Sequence, residues 1–407
     1  MAKMQNTSPK PKSPRVGKSL WSDAWGKLLR NRMAVVCMAV LVLVASGAFF
    51  TPLLPLQPSD KTDTSRDFDP PTFTHHPSDN LTIRQEGDVE PVPLTLEHIA
   101  ASNKKIATLK KRIADLPPDS EEREQLVNSI EDIRQGPYTD AGFTNMGPVS
   151  RWMTRMRLRI FGNWSIPSIC GRDNLGRDVL SRIFWGARVS IIVSIVATLV
   201  SLVIGVSYGS IAGYFGGVTD AVMMRIVDVL YSVPFIFVVI FLLTILGEEQ
   251  TKKQLAEFGI DRITIFYVVV GAIYWLTMAR VVRGQVLSLK KELYVEAARA
   301  QGAGQLEIIA RHIVPNVMSV VIVYLTLTIP RVMLFEAFLS FLGLGVESPD
   351  VSWGTLASEG LDVINPVRTY WWLVVFPSIA IGTTLFALNF FGDALRDALD
   401  PKLREGR

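Results

Sequence analysis

The chain has 407 residues, 49% of them hydrophobic, with a formal net charge of +4 and two cysteines. Cys37 lies in an apolar run and Cys170 far away in a polar one, so neither a disulfide framework nor a cysteine metal site is indicated. The distribution excludes an ordinary soluble domain. The apolar residues stand in long charge-free blocks, and ~20 apolar residues in a helix cross ~30 Å of hydrocarbon.

Residues 1–32 carry eight Lys or Arg and one acid, Asp23. A basic tail can serve nucleic acid. Here a charge-free block, Met33–Phe50, follows at once, so a cytoplasmic flank of a first span (33–55) is expected and no nucleic-acid partner. The block reads as a retained anchor, because its basic flank is long for a signal peptide and no small-x-small cleavage site follows.

Residues 56–188 are polar and read as a large extracytoplasmic insertion. Residues 57–94, rich in Pro, Asp, Ser and Thr, are expected to be irregular. Residues 95–135 predict two amphipathic helices. Ile106, Leu109, Ile113 and Leu116 recur at steps of three and four, and Leu126, Ile130 and Ile133 do so after Pro117-Pro118. Asp119 is expected to cap the second helix, with Glu122 at its third position. The two are expected to form an antiparallel helical hairpin.

Five further blocks follow within a core of 189–393: Val189–Thr219, ending as a span near Gly213, then Val229–Gly247, Ile263–Ala279, Ile313–Ile329 and Tyr370–Gly392. The expected fold is all-α, an integral membrane bundle of six transmembrane helices. Loop charge sets its orientation. Residues 280–311 hold six basic and three acidic residues, and the tail 394–407 holds four and three. Residues 342–369 hold one and four, and 248–262 hold three and four. Basic loops favour the cytoplasm, which puts both termini, the 214–224 turn and the 280–312 loop inside.

Gly205, Gly209 and Gly213 recur every fourth residue and are expected to let a neighbouring helix approach closely. Pro234, Pro330 and Pro377 are expected to kink their spans. Arg331 and Glu336 stand near the outer end of the fifth span, as a lining of a solute path or an interfacial ion pair. Gly17-Lys18-Ser19 lacks the leading glycine and the strand of a phosphate loop. The histidines at 75, 76, 98 and 312 form no metal-ligand pattern, and no catalytic constellation stands out. No catalytic residue, metal or cofactor is expected in this chain, which does not read as an enzyme.

The loop after the fourth block predicts a helix over Tyr294–Gln301, stopped by Gly302 and Gly304, and a second over Gln305–His312. It contains Glu296-Ala297-Ala298, then Gly302, then His312-Ile313-Val314-Pro315. This resembles the EAA signature of ABC-importer membrane subunits, with His312 where that signature has Ile and Val314 where it has Leu. Arg311-His312 is common in the peptide-transporter branch. Asp173–Arg182 with Gly186–Ser190, Gly213–Gly217, Met224–Asp228, Phe338–Gly345, Ser352–Gly354 and Gly392–Pro401 are similar, in order, to C-type subunits of oligopeptide, dipeptide and nickel permeases. The likeness covers 18–55 loosely and 170–404 closely, and 57–165 is much longer than the family's usual outer segment.

The resemblance implies a subunit of a bacterial inner-membrane importer. Its coupling loop, with Tyr294, Glu296, Ala297, Ala298, Gly302, Gly304, His312 and Pro315, would dock on the ATPase. It implies a second homologous permease subunit, two ABC ATPase subunits that bind ATP and Mg, and a periplasmic or extracellular solute-binding protein. Peptide is the first solute expected and nickel or another small solute the alternative. A membrane-anchored scaffold or receptor is the reading of another class.

Overall fold

The computed structural model describes residues 20–83, 91–117, 120–143, 146–246, 248, 251, 255, 262–346, 350–364 and 368–399. Four helices in it are long and apolar enough to cross a membrane: Arg32–Leu53, Val179–Phe215, Gln305–Phe341 and Trp372–Leu399. The pair Gly217–Ser232 and Phe235–Leu246, bent by 82°, would make a fifth. The fourth predicted block, Ile263–Ala279, falls inside helix Arg262–Leu289.

The described chain opens on α1 (Leu20–Arg30), where the sequence reading had only a basic tail. Ala24 and Leu28 are buried, and this helix packs on the last span. Asn31 ends it and starts α2 (Arg32–Phe50), its side-chain oxygen accepting from the N–H groups of Met33 and Ala34 at 3.1 and 3.3 Å. An Asn at that place satisfies donors that would be orphaned in a new helix.

The insertion is folded against one end of the bundle. The stretch expected to be irregular contains an antiparallel pair, β1 (Thr82–Ile83) with β2 (Val92–Pro93). Helices α3 (Leu96–Ala114) and α4 (Glu121–Thr139) pack on each other as the hairpin their periodicity predicts. The cap differs from expectation. Asp119 lies outside the described residues and Ser120 accepts from Arg123 N–H at 3.3 Å. Glu122 is then at the second position and meets Arg112 of α3 at 2.6 Å. Helix α5 (Pro148–Phe161) completes the insertion.

The core helices correct several predicted boundaries. Helix α6 (Val179–Phe215) begins ten residues before the predicted start at Val189. Arg182 and Arg188 sit within it because protein groups, not lipid, meet their charges: Asp173 at 2.7 Å from Arg182, and the Ser150 hydroxyl at 3.0 Å from Arg188. The 214–224 turn shrinks to Gly216, at φ 67°, and α7 (Gly217–Ser232) resumes at once. The predicted third span splits at Val233-Pro234 between α7 and α8 (Phe235–Leu246), since Pro234 offers no N–H to continue the ladder. Pro330 and Pro377 lie inside continuous helices.

Helix α9 (Arg262–Leu289) carries the fourth block ten residues past its predicted end, and α10 (Leu293–Ala300) follows. The second coupling helix is not separate. It runs on as α11 (Gln305–Phe341) through a π-turn at Ile309–Ile313, which re-spaces the ladder ahead of Pro315. Helix α12 (Trp353–Asp362) was not foreseen, and α13 (Trp372–Leu399) runs past its predicted end at Gly392.

Three of the four apolar clusters among the described residues hold these parts. One joins the insertion to α2, α6 and α12 through Leu81, Tyr138, Trp185 and Trp353. A second sits between α6, α9 and α11 beneath α10. A third joins α6, α8, α9 and α11. Many large apolar side chains, such as Leu43, Val203, Phe237 and Phe241, point away from the chain, as expected of surfaces that face lipid or another subunit.

Candidate functional site

At one end of the bundle α10 and the start of α11 form a small platform. Gly302 stops α10 at φ 84°. Its N–H donates to the Arg299 carbonyl at 3.0 Å, and the Ala303 N–H reaches back to the Ala298 carbonyl at 3.1 Å. This bond pair is a Schellman turn, which needs a left-handed residue at its centre. A Cβ on Gly302 would meet nothing within 4 Å, so the demand is on φ alone.

Val295 and Ala298 bury one side of α10 against Val282, Val286, Ile309 and Ile313. The other side stays open. Leu293 is 80% exposed and Leu306 71%, with Tyr294 beside them. Glu296, Ala297, Gly302, Gly304 and Pro315 are also exposed, whereas His312 is half-buried. A rigidly backed apolar patch rimmed by polar groups is the form of a docking surface. Lys290 Nζ donates to the Gly213 carbonyl at 2.8 Å, bracing the platform on the C-terminal end of α6, where free carbonyls favour a cation.

The predicted glycine stripe runs upward from that brace. A Cβ on Gly205 would lie 2.6 Å from Met278 Cβ, on Gly209 2.4 Å from the Ala279 carbonyl oxygen, and on Gly213 3.0 Å from that of Arg283. Gly271 of α9 reciprocates, 3.1 Å from Ala197 Cα of α6. The two backbones therefore touch over several turns, where any side chain would hold them apart. Two further ties were missed in the sequence. Arg283 grips Asp220 of α7 with two bonds of 2.5 and 2.6 Å, and Arg280 meets Asp228 at 3.0 Å. Their signal was visible: Arg-Val-Val-Arg faces two acids eight residues apart.

The opposite end holds a clamp built from Gly171–Arg182. Asp173 Oδ1 accepts from the N–H groups of Leu175 and Arg177, both at 2.9 Å, and Oδ2 from the guanidiniums of Arg177 and Arg182, both at 2.7 Å. Arg182 also donates to Glu359 of α12. Gly176, at φ 67°, is required twice over, since a Cβ would also run into the Asp63 carbonyl. Arg172, almost fully buried, meets the fully buried Asp79 at 2.6 Å, and Arg66 meets the same oxygen at 2.9 Å. Burial alone would raise the Asp79 carboxyl. The His76 N–H at 2.7 Å and the guanidiniums of Arg172 and Arg66 outweigh it and hold Asp79 below the usual carboxylate range.

Arg331 and Glu336 do not pair. Arg331 is exposed. Glu336 is completely buried, accepting from the hydroxyls of Ser190 at 3.2 Å and Ser340 at 2.9 Å. Ser190 also accepts from the Trp353 N–H at 3.1 Å, so this polar knot joins α6, α11 and α12.

The comparisons agree with this architecture. Residues 205–405 match the family model described as binding-protein-dependent transport system inner membrane component, and residues 19–71 match the N-terminal TM domain of oligopeptide transport permease C. The chain is 47% identical over 388 residues to the oligopeptide transport system permease protein OppC of Escherichia coli (strain K12), covering 95% of this chain and 93% of that protein. That span includes the insertion. It is 45% identical over 234 residues to the dipeptide transport system permease protein DppC of Bacillus subtilis (strain 168), 58% of this chain and 68% of the relative. To the glutathione transport system permease protein GsiD of Pectobacterium atrosepticum it is 39% identical over 236 residues, 58% and 72%. Together with the paired spans and the braced platform, these matches show that the chain belongs to the binding-protein-dependent transport system inner membrane components, the non-enzymatic permease subunits of ABC importers.

Proposed function

We propose that this chain is one of two homologous membrane subunits enclosing a path for peptides. Two ATPase subunits drive it from the cytoplasm and a solute-binding protein feeds it from outside. The observation that carries this reading is the platform Leu293–Ile308, whose buried face is fixed to α9 and α11 while Leu293, Tyr294, Glu296 and Leu306 are exposed. ATP and Mg belong to the ATPase subunits, and this chain supplies the route and the lever. The relatives named above are oligopeptide, dipeptide and glutathione permeases, all for peptides or a peptide-like solute.

The lever works by rigid coupling. Closure of the ATPases moves residues 294–312. Because α10 is fixed to α9 and continues into α11, both helices follow, and the close α6–α9 seam carries α6 with them. The bundle then opens outward, and hydrolysis resets it. In this reading there are six spans, α9 supplying the fourth, with both termini and the platform in the cytoplasm.

Glu296→Lys tests the docking role. Co-purification of the ATPase subunits and peptide uptake fall together, while the chain stays in the membrane. Unchanged co-purification and uptake would remove the platform from the coupling route. The solute is tested by identifying what the cognate binding protein carries when purified, where peptide supports the reading and nickel replaces it.

A further inference from the structure

Helix α5 has two faces of unlike chemistry, and both are accounted for by its position. Ser150 and Thr154, four residues apart, lie on the side turned to the bundle. Ser150 Oγ accepts from Arg188 at 3.0 Å, and α5 packs against the turn Thr51–Leu53 at the end of the first span, where Thr154 Oγ1 donates to the Ser150 carbonyl at 3.0 Å and faces the Pro52 carbonyl. These contacts fix the helix in height. Arg188 is the last charge before the charge-free run that begins at Val189, and Pro52 lies in the last turn of the candidate span Arg32–Leu53. Two spans therefore independently set α5 at the membrane–water boundary.

The side turned away from both spans is apolar. Val149, Trp152, Met156 and Ile160 recur at steps of three and four, and Trp152 and Ile160 are 58% and 60% exposed. Phe161 and Trp164 extend the patch, and Phe49 and Phe50 at the end of α2 are exposed as well. Arg155 and Arg159 flank the stripe, Arg159 exposed. Apolar side chains on one face with Trp among them and Arg at the edge form the pattern of a helix lying in the headgroup layer. There the indole sits at the interface and the guanidinium reaches phosphate.

We propose that α5 is an interfacial helix. It lies in the leaflet on the insertion side, with Val149, Trp152, Met156 and Ile160 in the acyl boundary and Arg159 against phospholipid phosphate. The insertion is thereby tethered to lipid as well as to the spans. The inference rests on the spans alone and is independent of the solute.

The test uses the full transporter, assembled with its partner subunits in nanodiscs of phosphatidylethanolamine and phosphatidylglycerol. Trp152→Cys and Ile160→Cys are each spin-labelled. Cys37 and Cys170 are buried, and the parent chain gives the label background. Collisions with oxygen, which concentrates in the acyl region, are compared with collisions with a water-soluble nickel chelate. The oxygen-to-nickel ratio at both positions is several-fold above that of Lys104→Cys on exposed α3. A ratio equal to that at 104 places the face in water and overturns the proposal. Labels immobilised and shielded from both reagents overturn it equally, by assigning the face to another subunit.

Discussion

Glu359 and Arg182 lie 177 residues apart in sequence, yet Arg182 Nη2 donates to Glu359 Oε1 at 3.0 Å while Nη1 of the same guanidinium holds Asp173 at 2.7 Å. One arginine thus ties the N-terminal end of α6 to both the insertion loop and α12. The two acids differ in burial, Asp173 being nearly buried and Glu359 41% exposed on its side chain. Removing the shared cation should therefore cost far more than removing the exposed acid. Arg182→Ala is expected to destabilise by about 3 kcal/mol, as for a broken buried pair. Glu359→Gln is expected to cost at most about 1 kcal/mol, as for an exposed one. Thermal unfolding of the detergent-solubilised chain, followed by loss of the monodisperse peak, ranks the two. Equal shifts would contradict the clamp.

The two kinds of glycine separate in the same assay. A Cβ at Gly209 would stand 2.4 Å from a backbone oxygen, so Gly209→Ala must move α9 away from α6. Overpacking of this kind costs about 1–3 kcal/mol and lowers uptake with it. Gly302 meets no neighbour, and Gly302→Ala is charged only for its left-handed φ, roughly 1–2 kcal/mol. Its effect should fall on ATPase co-purification with the spans intact. A Gly209→Ala chain with full stability would refute the close seam.

Glu336 and Arg331 should part company on substitution. Glu336→Ala removes the acceptor for two buried hydroxyls and is expected to cost about 1–3 kcal/mol. Glu336→Gln keeps an oxygen there and recovers most of the loss. Arg331→Ala, on an exposed side chain, should change stability by less than about 0.5 kcal/mol. A drop in uptake for Arg331→Ala at normal stability supports a place along the path, and normal uptake excludes one.

Asp79 gives the insertion an acid limit. Its carboxyl titrates lower in the folded chain than in the unfolded one, so the stability it contributes is complete above the unfolded value of about 3.9 and is lost as pH falls towards the folded one. Protease resistance of the insertion is expected to hold from neutral pH to about pH 4 and to fall below it. Asp79→Asn, which removes the carboxylate shared by Arg172 and Arg66 and leaves Arg66 only Asp69, should be less resistant at pH 7 and show a flatter acid limb. An unchanged acid limb in that variant would remove Asp79 from the account.

The sequence by itself determined the class of this protein. Charge-free blocks decide membrane insertion locally, residue by residue, and helix periodicity is equally local. The first anchor, the paired insertion helices and the turn at Gly302 were therefore legible in the chain. So was the platform, because its motif is contiguous. Tertiary structure alone decided where helices begin and end once partners satisfy their charges. Arg182 and Arg188 look like loop residues until Asp173, Glu359 and Ser150 are brought to them, and α6 gains its first ten residues that way. It also decided that Glu336 turns inward to serines while Arg331 turns outward. Helices α1, α5 and α12 are short and mixed in composition, so neither hydropathy nor length marks them. They take their form from burying Ala24 and Leu28, Met153 and Leu158, and Trp353 and Leu356 against elements far away in sequence.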